Sequence, residues 1–247
     1  QGKKVVKIKT EGNQIFFDDE SWITYHRLLI CPGAVPVKLR LKGEDLENIF
    51  YLRSYNDSDR IINSLNNVKN AVVIGAGFIA METATSLGDL GIKVDVAAPE
   101  KLPFAKKLGK EIGEMLKKEH ERKGVKFHME SKPVSFLGNS KVEEVELDNG
   151  KRLKADLVII GAGVKPATDM IKNIPMEEDG SLKTDEYMRV KNDVYAAGDA
   201  ASFINPINGK HVRIEHWRTA HQQGISAAKN MLGQNEKFAG IPFFWTE

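Results

Sequence analysis

The run "AVVIGAGFIAMETA", residues 71–84, constrains this chain more than any other feature: Gly75, Gly77 and Ala80 stand in a G-x-G-x-x-A frame directly after apolar residues. A strand that ends at such a frame and starts a helix leaves backbone N–H groups unpaired at the positive end of the helix dipole, a place that binds phosphate. In that arrangement Gly75 permits the tight turn, Gly77 removes the Cβ that would block a pyrophosphate, and Ala80 lets helix and strand pack closely. Small residues also serve plain strand-to-helix packing, so the frame acquires meaning only from its context. Here Ala71 to Ile74 reads as a strand and Phe78 to Leu90 as a helix closed by Gly91. A second strand follows at Lys93 to Ala97, a charged amphipathic helix at Leu108 to Lys123, and a third strand at Val125 to His128, with hairpin strands around Asn149-Gly150 after it. That is a βαβαβ unit with a β meander behind it, and the molecule that approaches the bare backbone is expected to be a dinucleotide.

The same fingerprint asks for an acid about 20 positions further on, at the end of the second strand, to hold the adenosine ribose hydroxyls. That strand reads "KVDVAAPEK", with alanine at position 98. Asp95 falls too early, inside the strand, whereas Glu100 lies just past its end and is the candidate; the alternative is a solvated loop glutamate. A missing acid at 98 also removes the usual repulsion of a 2′-phosphate, and Lys101 or Lys106 would attract one. The choice between NADH and NADPH therefore stays open, and the cofactor is written NAD(P)H.

The opening segment alternates apolar and polar residues and reads as a short β meander whose last strand is Leu28 to Ile30. "EDLENIFYLRSYNDSDRIINSL" reads as a connector with a helix after Asp57, and "ADLVIIGAGVKPAT" and "VYAAGDAASF" each bring a further apolar strand into glycines. At 247 residues and 41% hydrophobic content the chain can bury one large core or two smaller ones. A net charge of +2, from 36 basic and 34 acidic residues, gives no nucleic-acid or membrane footprint, and the run "KKEHERK" is the solvated face of its helix. No apolar run reaches the ~18 residues of a membrane span, and the first residues lack a signal-peptide pattern. Cys31 is the only cysteine, which excludes an internal disulfide, a Cys-x-x-Cys pair and a cysteine zinc site within this chain. Redox chemistry here must use a bound cofactor, no metal ligand set is expected, and Cys31 reads as a buried apolar residue at a strand end.

"VVIGAGFIAMETA", "ADLVIIGAGVKPAT", "VYAAGDAASF" and "EHWRTAHQQGISAAKNML", in this order and spacing, resemble the ferredoxin-reductase-like pyridine nucleotide flavoproteins, most strongly the apoptosis-inducing factor group in its AIF-like form. The resemblance spans essentially the whole chain. It implies an α/β, Rossmann-like FAD/NAD(P)-binding fold in which residues 49–172 are an NAD(P)H domain inserted into an FAD domain, whose parts here are 1–48 and 173–240. Residues 241–247 would begin a further domain. The FAD fingerprint of such proteins would stand upstream of Gln1, so the sequence reads as a fragment, inactive alone. The implied activity is hydride transfer from NAD(P)H to FAD and electron transfer to an acceptor such as a ferredoxin or a Rieske iron–sulfur domain, with no side chain needed as general acid or base. The alternative is a redox-signalling nucleotide sensor with slow turnover.

Residue by residue, the resemblance places Phe78 and Glu82 of the fingerprint helix beside the nicotinamide, counts Ile79 between them among the cofactor-binding residues, and puts Gly161 and Gly163 in the second glycine turn, beside the nicotinamide half. Gly198 and Asp199 match the turn whose acid meets the FAD ribityl and pyrophosphate, and His216 and Trp217 match the segment passing the flavin ring. Trp245 matches an aromatic near both rings, with core packing as its alternative, and Lys106 matches a basic residue near the adenosine, with a solvated lysine as its alternative. A helix-surface glutamate is the alternative for Glu82, and a helix-capping aspartate for Asp199. "CPGAVP" departs from the A-T-G-like turn of many relatives and loses a threonine hydrogen bond. The resemblance leaves the compartment open between mitochondrion and cytoplasm.

Overall fold

The computed structural model describes residues 1–241, apart from the side chain of Lys106. Contacts divide the described residues into two compact units, one of Pro36–Val164 and one of Gln1–Val35 with residues 165–241.

In the Pro36–Val164 unit, five parallel strands lie in the order Ile49–Tyr51, Leu157–Ile160, Asn70–Ile74, Lys93–Ala98 and Lys126–Met129. The register pairs Ala71 with Val94 and with Leu157, and Ile74 with Ala97 and with Ile160. A parallel sheet covered on both faces wants strands that are apolar throughout, and Leu157–Ile160 is buried at every position. Ala71, Val73, Val94, Val96, Leu157 and Ile159 face a core shared with Ile61, Ala80, Met81, Ala84 and Leu87 of the helices Tyr55–Ser64 and Phe78–Asp89. Val72, Ile74, Ala97, Val158 and Ile160 point the other way, onto Phe136, Val145, Leu147 and Leu153. Those belong to an antiparallel meander of Pro133–Leu137, Glu144–Leu147 and Arg152–Lys154. Helices, sheet and meander thus form three layers, and the βαβαβ order expected from the sequence is the order found.

Several details differ from expectation. Ile49–Tyr51, expected within a connector, is the edge strand of the main sheet, paired with Val158 to Ile160. Three apolar residues carry no periodicity of their own, and only the partner strand makes them a strand. The compact units also divide earlier than the expected boundaries at 48 and 172. Leu39, Leu41 and Leu46 pack on the Phe136 core, which draws 36–48 into this unit, whereas Ile171 bridges to Ile8 and joins the other. Finally, Cys31 is exposed, not buried. Ile30 ends its strand facing inward, and the two-residue period of a strand turns the next side chain out.

The second unit holds the antiparallel meander Val5–Lys9, Gln14–Phe17 and Trp22–Thr24. The strand Leu28–Ile30, expected as the last of that meander, instead pairs in parallel with Val194–Ala196 in another sheet, a partner far along the chain that no local alternation announces. Its core gathers Ile8, Ile30, Leu182, Met188, Val194, Phe203 and Ala227, the last from the helix Trp217–Met231.

Candidate functional site

The three small residues of the fingerprint are small for three different reasons. Gly75 has φ +114°, and a Cβ there would lie 2.3 Å from the carbonyl oxygen of Gly161, so both its backbone angle and its neighbour require glycine. Gly161 in turn donates its N–H to the Ile74 carbonyl at 2.7 Å, and a Cβ on it would come within 3.1 Å of the Ala80 methyl. Ala80 is wholly buried. The second glycine turn therefore packs directly onto the first through Gly161.

Gly77 is different. Its backbone is extended, at φ −94° and ψ −172°, which any residue adopts, and nothing lies within 4 Å of where its Cβ would stand. It caps the Phe78–Asp89 helix without supplying any side-chain hydrogen bond to the first turn. What glycine preserves here is open space in front of a helix start that has no side-chain cap, a cradle that a Cβ would begin to fill. Gly163, at φ +101°, also looks onto open space. Phe78, Ile79 and Glu82 are half-buried along the first turns of that helix.

At the end of the second strand Ala98 is wholly buried, and its carbonyl accepts the Ser131 N–H at 3.1 Å. A carboxylate at position 98 would be desolvated there, whereas Glu100, two residues on, is half-buried and has its carbonyl held by the Glu130 N–H at 3.0 Å. The loop beyond Glu100 returns to the glycine turn through Phe104, whose N–H donates to the Ala76 carbonyl at 3.0 Å. The Phe104 ring sits 5.1 Å from that of Phe78, and Lys107 Nζ lies 5.5 Å from the Phe78 ring on the helix start. Sequence reasoning passed over Phe104 and Lys107; "PFAK" reads as an ordinary loop until the chain is folded. The side chain of Lys106 lies outside the described residues.

In the other unit the turn Gly198–Ala200 is a single 3-10 turn that begins at φ +79°. The Gly198 N–H donates to Gln223 Oε1 at 2.8 Å, while Gln223 Nε2 is buried with no acceptor. The Asp199 carbonyl accepts from Arg213 Nη1 at 3.4 Å, and Arg213 is clasped by Asp179 at 2.7 Å and Glu215 at 2.6 Å. Burial alone would lower the pKa of that guanidinium; the two carboxylates hold it above its ordinary value. Gln223 and Arg213 were not singled out from the sequence, because nothing in "HQQG" or "HVRIEH" marks which polar residue turns inward. His216 caps the Trp217–Met231 helix, its Nδ1 accepting the Arg218 N–H at 3.2 Å, and its ring lies 5.9 Å from that of Trp217, which is 66% exposed. Trp245 lies outside the described residues.

Among the described residues no group of three or more His, Cys, Asp or Glu is placed to hold a metal ion, and no helix is long and apolar enough to cross a membrane.

A family model described as pyridine nucleotide-disulphide oxidoreductase matches residues 1–224. Apoptosis-inducing factor 3 of Mus musculus is 36% identical over 250 residues, covering 98% of this chain and 41% of that protein. The anthranilate 1,2-dioxygenase system ferredoxin–NAD(+) reductase component of Burkholderia cepacia is 28% identical over 253 residues, covering 100% of this chain and 61% of that protein. A ferredoxin reductase structure from Rhodopseudomonas palustris superposes with a TM-score of 0.92 at 26% identity, over 100% of this chain and 61% of that one. The chain thus spans less than two thirds of the relatives it matches.

Proposed function

Because this chain belongs to the pyridine nucleotide-disulphide oxidoreductase family, we propose that it is the cofactor-holding part of an NAD(P)H- and FAD-dependent, ferredoxin-reductase-like oxidoreductase. In this reading Pro36–Val164 holds NAD(P)H and the other unit contributes to the FAD site. The bound groups supply hydride transfer from nicotinamide to flavin and onward electron transfer; the protein binds, orients and shields them. The helix start at Gly77 takes the pyrophosphate, Glu100 accepts hydrogen bonds from the adenosine ribose, and Phe78 and Glu82, with Ile79 between them, flank the nicotinamide beside Gly161 and Gly163. The Gly198-Asp199 turn, held by Gln223 and Arg213, presents Asp199 to the ribityl chain and pyrophosphate of FAD, with His216 and Trp217 along the flavin. Lys106 and Trp245 keep the roles that the resemblance gives them, at the adenosine and near the two rings.

The acceptor is proposed to be a one-electron carrier such as an iron–sulfur protein, a reading supported by the Burkholderia relative, a ferredoxin–NAD(+) reductase component. The family name also speaks of disulphides, but Cys31 is the only cysteine in these 247 residues, and they contain no dithiol pair for such chemistry.

The open space at Gly77 is the observation that carries the nucleotide reading. Calorimetric titration of the wild-type chain and of Gly77→Val with NADH tests it. A branched side chain in the cradle should weaken binding by more than about tenfold while the cooperative thermal transition is kept. A folded variant with unchanged affinity would show that the pyrophosphate does not lie there.

A further inference from the structure

We propose that Phe104 is a positioning residue for nucleotide selectivity: it latches the loop that carries Glu100 and Lys101 onto the glycine turn, and so sets the distance between the ribose-holding carboxylate and the phosphate cradle. The proposal rests on the reading of that cradle as the NAD(P)H site.

Four observations converge on this residue. Its N–H donates to the carbonyl of Ala76, the central residue of the "GAG" turn, so the loop closes on the phosphate site itself and not on a neighbouring element. Its ring is 7% exposed and packs at 5.1 Å, tilted by 53°, on Phe78, the first residue of the fingerprint helix. Its backbone is left-handed, at φ 59° and ψ −2°, a conformation that is unfavourable for a bulky residue and is ordinarily given to glycine or asparagine. An aromatic is thus kept at a position whose backbone favours glycine. Its carbonyl also accepts the N–H groups of Lys107 and Leu108, both at 2.9 Å, which starts the Ala105–Leu108 turn and places Lys107 over Phe78.

The loop is pinned at its other end by the Glu130 N–H on the Glu100 carbonyl, and directly before Phe104 by close approach to the helix Lys110–Arg122. There a Cβ on Gly113 would lie 2.7 Å from the Pro103 carbonyl oxygen. Between these pins the backbone from Glu100 to Phe104 has little freedom. Where Glu100 and Lys101 stand relative to the pyrophosphate is then set by the latch at one end together with the Glu130 bond at the other. A core residue that merely fills volume would need neither the strained backbone nor the bond to Ala76.

The test uses the whole chain with Phe104→Gly, Phe104→Leu and Phe104→Tyr. Glycine keeps the backbone angle and loses the ring, leucine keeps apolar bulk without a flat face, and tyrosine keeps the ring. Two quantities are read: the rate of tryptic cleavage after Lys101 without nucleotide, located by mass spectrometry, and the dissociation constants for NADH and NADPH by calorimetry. Unlatching should speed cleavage after Lys101 by about tenfold in Phe104→Gly and measurably in Phe104→Leu. It should lower the preference for NADH over NADPH by more than about fivefold, because Glu100 leaves both its ribose bonds and its place against a 2′-phosphate. Tyrosine should restore both. Should Phe104→Gly not fold, Phe104→Leu decides by the same readouts.

A folded Phe104→Leu with both quantities within about twofold of wild type overturns the proposal, as does an equal loss of both nucleotides, which is what general loosening produces. If Gly77→Val leaves NADH binding intact, the cradle reading is the one that falls, while the tryptic rates still report whether the latch exists.

Discussion

Gly75 and Gly77 are the same residue in the same motif, and the structure gives them opposite roles. Gly75 answers to the fold, because its positive φ and the Gly161 carbonyl 2.3 Å from a would-be Cβ leave no room for a side chain. Gly77 is free of both constraints, because its backbone is ordinary and the space before it is open, and the proposed function assigns that space to a ligand. Gly75→Ala should therefore lower unfolding free energy by about 2 kcal/mol or more in urea titration, whereas Gly77→Ala should change it by less than about 1 kcal/mol. Equal costs at the two positions would contradict that division. Glu100 belongs to the same scale. With Ala98 wholly buried, Glu100→Ala should weaken NADH binding by about 1.5–3 kcal/mol, roughly tenfold to 150-fold, the range for hydrogen bonds to a charged group. NADPH should lose less, since the carboxylate's repulsion of a 2′-phosphate goes with it, and calorimetry with both nucleotides reads the difference. Parallel small changes would make Glu100 a solvated loop residue.

Among the elements, the central strand Asn70–Ile74 is the one that delivers the chain to the glycine turn, and a single carboxylate fixes where it begins. Asp156 accepts from the Lys69 N–H at 3.0 Å, the Asn70 N–H at 2.9 Å and the Asn70 side-chain amide at 3.0 Å. Burial alone would raise its pKa, but these bonds and nearby Lys154 hold it below the ordinary value. A carboxyl whose folded pKa is depressed contributes stability at any pH above its unfolded value, about 4, and that contribution disappears as pH falls through the folded value. Asp156→Ala should cost roughly 1–2 kcal/mol at pH 7, a figure kept small because the group is partly solvated. The difference between wild type and variant should shrink below about pH 4 and vanish under strong acid, as seen in urea midpoints measured across that range. A difference that does not change with pH would mean that the carboxylate's charge plays no part in anchoring the strand.

At the scale of the whole molecule, each unit carries its own core, and every residue of the fingerprint, the second glycine turn and the Phe104 latch falls within Pro36–Val164. That unit has a sheet covered on both faces, the condition for a parallel sheet to persist in water. Residues 36–164 expressed alone should show a cooperative thermal transition and bind NADH within about fivefold of the full chain. A non-cooperative melt, or loss of binding by the folded unit, would show that residues outside 36–164 complete the fold or the site.

The sequence by itself determined the α/β class, the βαβαβ order, the place of the glycine turn, and Glu100 as the nearest acid past the second strand, because local periodicity and the backbone chemistry of glycine leave their mark on neighbouring residues. Tertiary structure decided what lies between distant residues. Ile49–Tyr51 is a strand only because Leu157–Ile160 pairs with it, and 36–48 joins the nucleotide-like unit only because Leu39, Leu41 and Leu46 find the Phe136 core. Gly161 is small because Ala80 is there, Gln223 and Arg213 face the Gly198-Asp199 turn across stretches of chain with no common pattern, and Phe104 meets Ala76 only after the loop has closed. Contacts of this kind depend on which surfaces the fold brings together, and no periodicity within a single stretch of sequence encodes them.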